Sequence, residues 1–129
     1  MPRIAYVNGR YVRHADAAVH ILDRGFVFAD AVYEVCQVQQ GFIVDLSRHL
    51  DRLDRSLSEL RIRPPMSRAA LTGILRQVLR RNLVSGGMVY LQVTRGVAKR
   101  DHVFPLPEVH PTLVVTAKSL DPAVNAAKY

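Results

Sequence analysis

The polar and apolar positions of this chain change period several times, and each change marks an element. In "AYVNGRYV", two short β-prone runs flank Asn8 and Gly9, a pair that readily takes the positive φ angles of a tight hairpin turn. "AVYEVCQV" alternates, residues 39–41 interrupt it, and "FIVDL" follows, which predicts a second hairpin with a longer turn. The period then lengthens. Leu46, Leu50, Leu53, Leu57 and Leu60 recur at spacings of four and three, the apolar stripe of an amphipathic helix. Asp45 or Ser47 is suited to cap its start. "RPP" at residues 63–65 is expected to end it, because proline disfavours helical geometry in the residue before it. A second helix is predicted in "MSRAALTGILRQVLRRNL", capped by Ser67, with Leu71, Ile74, Leu75, Val78 and Leu79 inward. "SGG" breaks it, and "MVYLQVTRG" and "TLVVTAKSL" read as further strands. Strands, two helices, then strands, without βαβ alternation, predict an α+β fold: a mostly antiparallel sheet packed against two helices.

Length and composition narrow the class. A chain of 129 residues, 49% hydrophobic and 22% charged, is one ordinary globular domain and not a disordered segment. Its single cysteine, Cys36, excludes an internal disulfide framework. No apolar run is long enough for a signal peptide or a membrane span, so a soluble cytoplasmic protein is expected. The net charge of +7 and pI of about 10.2 raise nucleic acid as a partner. The basic residues form no obvious stripe, however. Lysine occurs only at Lys99, Lys118 and Lys128, and the arginines are scattered from Arg3 to Arg100. Arg61, Arg63, Arg80 and Arg81 lie beside the predicted helix ends, where cations suit the last turn. No aromatic residues interleave with them as a base-stacking platform requires. The charge equally attracts small phosphorylated or carboxylated ligands.

Three places could carry chemistry. On the first long helix His49, Arg52 and Ser56 share a face away from the leucines, although scattered helical charges are more often simply solvated. A strand from Ala31 or Val32 would put Tyr33, Val35 and Gln37 on one face and Glu34, Cys36 and Val38 on the other. Tyr33 alone would read as an ordinary cross-strand aromatic. In "KRDHVFP", Arg100 and His102 stand two apart before Pro105. In an extended segment both would project to one side and could converge on one anion; the plainer reading is a solvated basic loop.

Taken together, "DRGFVFADAVYEV", "RHLDRL", "VYLQVTRG" and "KRDHVFP" resemble the N-terminal, small domain of the fold-type IV pyridoxal-phosphate aminotransferases. The Arg-x-His after "TRG" tilts the resemblance toward the D-amino acid transaminase branch. Branched-chain aminotransferases and aminodeoxychorismate lyases share the first two motifs. The resemblance implies a transferase that uses pyridoxal 5'-phosphate, takes small-molecule amino acids and 2-oxo acids, and works as a homodimer. It implies that Arg52 grips the cofactor phosphate, that His49 supports that site, and that Tyr33 is the active-site tyrosine. Arg100 and His102 would be the substrate carboxylate clamp, reaching the neighbouring subunit's site with Tyr33 as third member. Tyr90 would border the substrate pocket. No metal is implied.

The resemblance covers residues 1–120, and residues 121–129, "DPAVNAAKY", are expected to begin an interdomain linker. The family's cofactor-linking lysine belongs to a following domain, which is expected to be absent. Neither Lys118 nor Lys128 falls in that lysine's motif, so the isolated chain is expected to be inactive. Two departures stand out. Ala29 and Ala31 flank Asp30 where relatives commonly have glycine, and alanine resists positive φ, so the turn before Tyr33 is expected to differ. Gln37 stands where relatives often carry lysine. The competing class is a stand-alone basic module that binds a phosphorylated small molecule or nucleic acid.

Overall fold

The computed structural model describes residues 3–120. Asn8 and Gly9 both take positive φ and join β1 (Ile4–Val7) to β2 (Arg10–Arg13), the predicted first hairpin. A single 3₁₀ turn, His14–Asp16, follows, and then a short helix, α1 (Arg24–Phe28). The second hairpin pairs β3 (Ala31–Gln39) with β4 (Phe42–Ile43), turning through Gln40 and Gly41, again at positive φ. Two long helices come next, α2 (Leu46–Leu60) and α3 (Arg68–Arg81). They precede β5 (Gly87–Thr94) and β6 (Thr112–Ser119). The strands form one sheet in the order β2-β1-β6-β5-β3-β4, and every neighbouring pair is antiparallel. The expected α+β architecture, an antiparallel sheet against two helices, is present. The tail and linker reading, with Lys128, lies outside the described residues.

Alternation along the central strands divides the sheet into two faces. Val32, Cys36 and Val38 of β3, Val89, Leu91 and Val93 of β5, and Leu113, Val115 and Ala117 of β6 are buried. They form one core with Leu50, Leu53 and Leu57 of α2 and Leu71, Leu75, Val78 and Leu79 of α3. The opposite face carries Tyr33, Val35 and Gln37, all exposed, and in register beside them Gln92, Tyr90 and Met88. The helices therefore cover one face, and the tyrosine face lies open among the described residues.

The element ends depart from the sequence reading in instructive ways. Ser67 caps α3 as expected, its hydroxyl accepting from the Ala70 N–H at 3.1 Å. Neither Asp45 nor Ser47 caps α2 through its side chain: Asp45 occupies the N-cap in a left-handed conformation without a side-chain bond. α2 also stops before "RPP". Arg61 turns left-handed at φ 56°, and the Ile62 N–H closes on the Leu57 carbonyl at 2.9 Å, so the chain has left the helix before the prolines.

The five-residue α1 is too short for its periodicity to be read. It exists because Asp23, 1% exposed, caps it, accepting from the Gly25 N–H at 2.9 Å and the Thr112 hydroxyl at 2.6 Å. A side chain at Gly25 would meet the Thr94 side chain, so this close approach requires glycine. α1 ends at Ala29 with φ 55° and ψ 30°. Alanine resists this region, yet Ala29 adopts the left-handed conformation, at a cost of about 1–2 kcal/mol. Its N–H bonds back to Arg24 and Gly25 carbonyls, and those bonds hold it there.

Candidate functional site

The residues singled out by sequence fall into three clusters. The first is built across β3 and α2. Glu34 points toward the helices from the buried face of β3 and is 4% exposed. His49 Nδ1 lies 2.7 Å from its Oε1. Arg52 forks onto it, Nε donating to Oε2 at 2.9 Å and Nη2 to Oε1 at 2.8 Å. Spacing of three on α2 puts His49 and Arg52 on one face, so both reach one carboxylate. Burial would raise the Glu34 pKa. The hydrogen bonds and charges of Arg52 and His49 outweigh it and hold the carboxyl below the usual range, so Glu34 is ionised at neutral pH.

The Arg52 side chain nonetheless remains 65% exposed. Its Nη1 makes no hydrogen bond among the described residues. This exposure has a topological cause: β4 pairs only with Val38 and Gln39, so the first part of β3 is a free sheet edge beside α2. Cys36, two residues along, is fully buried, and burial, then the Glu34 charge, push its thiol up to about 11. It is an inert core residue.

The second cluster lies on the open face. The ring of Tyr33, 64% exposed, is 5.9 Å from that of Tyr90 in a tilted arrangement, and the Tyr90 hydroxyl donates to Gln92 at 2.8 Å. Burial and then the Tyr33 neighbour push the Tyr90 pKa upward. Tyr33 and Glu34 are consecutive and point to opposite faces, so the first two clusters meet at one strand edge.

The third cluster carries Arg100 and His102. They lie, as expected, in a loop between β5 and β6, which is exposed and irregular rather than evenly extended. They converge all the same, on Phe28: the His102 ring centroid lies 5.1 Å from the Phe28 ring, and the Arg100 guanidinium 5.7 Å from it. Sequence reasoning missed the groups beneath this loop. Arg24 is buried and donates to the Asp101 carbonyl at 2.7 Å and to Asp30 at 2.8 Å. Asp30 also accepts from Arg95 at 2.6 and 3.2 Å. Arg95 in turn donates to the Leu60 and Arg61 carbonyls at the end of α2 and lies 3.7 Å over the Phe104 ring. Arg24, Asp30 and Arg95 all lie inside motifs quoted above, "DRGFVFADAVYEV" and "VYLQVTRG", but nothing in their spacing pairs them.

Among the described residues no group of three His, Cys, Asp or Glu could hold a metal ion, and no helix is long and apolar enough to cross a membrane. The clusters instead present guanidinium, imidazole and phenol groups, a set that suits anions.

A D-alanine aminotransferase from Staphylococcus haemolyticus is 37% identical over 116 residues, which are 90% of this chain and 41% of that protein. One from Listeria innocua is 41% identical over 100 residues, 77% of this chain and 35% of that protein. Among solved structures, the branched-chain amino acid aminotransferase from Escherichia coli matches with a TM-score of 0.85 at 19% identity, covering 93% of this chain and 42% of that one. At that identity the likeness concerns the fold alone. The 4-amino-4-deoxychorismate lyase from Pseudomonas aeruginosa matches with a TM-score of 0.71 at 28% identity, over 89% of this chain and 39% of that one. The chain thus spans about two fifths of the length of such relatives. Residues 31–129 match the amino-transferase class IV family, and the chain belongs to that family.

Proposed function

We propose that this chain is the small domain of a pyridoxal-phosphate-dependent transaminase that moves an amino group between a D-amino acid and a 2-oxo acid. The observation that carries the reading is the Glu34-backed Arg52. A buried carboxylate orients the guanidinium from behind, while Nη1 and the exposed side of the fork stay available. A guanidinium offers five N–H donors in a rigid plane, and this one fits a phosphate dianion at an open strand edge. Arg52 would hold that phosphate, and His49 would fix Glu34 from its other side. Pyridoxal phosphate, when bound, supplies the electron sink that lets an amino group leave one carbon skeleton and join another.

The remaining residues act on the substrate. Arg100 and His102 would hold its α-carboxylate, a pairing of planar cation and carboxylate that fixes orientation as well as distance. Orientation decides which face of the α-carbon meets the reacting groups, and so which enantiomer reacts. Tyr33 and Tyr90 would wall the pocket from the open sheet face. The identity to enzymes named D-alanine aminotransferase supports the D-enantiomer over the branched-chain alternative, whose E. coli structural relative is similar in fold alone. A homodimer in which the clamp loop serves the neighbouring protomer belongs to the same proposal. The nucleic-acid reading loses ground because Arg24, Arg68 and Arg95 are tied to carboxylates, which takes them out of any basic stripe.

The test is product analysis with the protein purified from its natural source. With 2-oxoglutarate as acceptor, D-alanine should yield pyruvate, and L-alanine and L-leucine should be left untouched. Consumption of L-leucine with D-alanine unchanged would overturn the D-amino acid assignment in favour of a branched-chain activity.

A further inference from the structure

The loop between β5 and β6 has little to hold it in place. Arg100, Asp101, His102, Val103, Phe104 and Leu106 are all exposed, so the segment buries little apolar surface and belongs to no strand. Yet two residues within it must stand in fixed relation to grip one carboxylate, because a misplacement of about 1 Å sacrifices much of the benefit of orientation. What fixes them comes from α1. Arg24 donates through Nη1 to the Asp101 carbonyl at 2.7 Å and, more distantly, to the Val103 carbonyl at 3.5 Å. These two carbonyls bracket His102. The Val103 N–H closes a turn on the Asp101 carboxylate at 3.2 Å, so the backbone around His102 is pinned on both sides.

One turn along α1, Phe28 supplies the surface. Its ring lies 5.1 Å from the His102 ring, 5.7 Å from the Arg100 guanidinium and 4.9 Å from the Arg24 guanidinium. Arg24 is itself locked by Asp30, whose second partner, Arg95, anchors it to the end of α2. Two arginines buried around one aspartate are a costly way to fill space, since desolvating them weakens the fold unless every donor is used. Besides Asp30, they donate to loop and helix-end carbonyls, which an apolar replacement could not hold.

We propose that Arg24 and Phe28 form a platform that positions the Arg100–His102 clamp. Both act through the clamp, Arg24 by holding the backbone around His102 and Phe28 by backing the two side chains. The inference rests on the transaminase reading above. It predicts that disturbing the platform weakens recognition of the carboxylate while the Arg52 grip on the cofactor is kept.

The experiment uses the intact transaminase, purified with its cofactor, and the variants Arg24→Met, Arg24→Lys and Phe28→Leu. Kinetics are measured with D-alanine and with D-alaninamide, which lacks the carboxylate charge, together with the fraction of pyridoxal phosphate retained. Arg24→Met should raise KM for D-alanine about tenfold and erase most of the preference over the amide, with cofactor retention unchanged. Arg24→Lys, which can still donate to one carbonyl, should restore part of that preference. Phe28→Leu keeps an apolar side chain at this half-buried position and should show the same loss more weakly, so it decides the matter if Arg24→Met does not fold. Unchanged preference for D-alanine over the amide in the folded variants would overturn the platform. A wild-type protein inactive on every amino acid would instead overturn the functional reading.

Discussion

Glu34 is an ionised carboxylate on the buried side of a strand, a position that normally selects against charge. His49 and Arg52 resolve the conflict by engaging both of its oxygens. Glu34 is therefore what converts two ordinary helical residues into an oriented cation. Glu34→Gln removes the charge and leaves an amide N–H₂ facing the guanidinium, so Arg52 should lose its fixed direction. In the cofactor-loaded protein the expected result is roughly tenfold weaker retention of pyridoxal phosphate, measured by cofactor absorbance after exhaustive dialysis. Retention equal to wild type would remove Glu34 from the phosphate grip. Sequence reading reached Arg52, His49 and Tyr33 but passed over Glu34, and the reason is physical. Its partners lie 15 and 18 positions away, and only the seating of α2 on the sheet brings them together. Arg24, Asp30 and Arg95 were illegible for the same reason: their contacts span up to 79 positions and depend on where loops cross.

At the scale of elements, periodicity was the readable signal wherever it ran for two turns or more. The strands, both hairpins and the two long helices follow from it. Its limit is visible in α2. The five leucines make one stripe on paper, but Leu50, Leu53 and Leu57 are buried, Leu46 is partly so, and Leu60 is 41% exposed. The helix ends at Leu60, where the left-handed Arg61 redirects the chain, and Ile62, 4% exposed, fills the core in place of Leu60. Nothing in the alternation of fours and threes marks that stop. Leu53→Ala, at 2% exposure and next to Arg52, should cost about 2–5 kcal/mol in urea unfolding, whereas Leu60→Ala should cost well under half of that. Equal losses at the two positions would mean that α2 seats differently against the sheet.

At the scale of the whole molecule, the buried tie between α1, the clamp loop and α2 makes stability depend on acid. Burial alone would raise the Asp30 pKa, but the hydrogen bonds from Arg95 and Arg24, and then their charges, leave it below its ordinary value of 3.8. Glu34 is likewise held below its ordinary 4.5. For a carboxylate whose pKa is lower in the folded state, the unfolded chain binds protons first as pH falls. The stabilisation is therefore fully present above about pH 5 and drains away as pH falls through the ordinary and then the folded-state values. Protonating Asp30 also leaves the Arg24 and Arg95 guanidiniums facing each other without their shared counter-charge, in a chain whose net charge is already +7. Unfolding free energies of wild type and Asp30→Asn should thus differ most at neutral pH and converge toward about pH 2, because acid does to the wild type what the substitution has already done. A gap that stays constant across that range would show that the Asp30 carboxylate is not what joins the two arginines. A gap that closes would locate the domain's acid sensitivity in the same network that carries the proposed clamp.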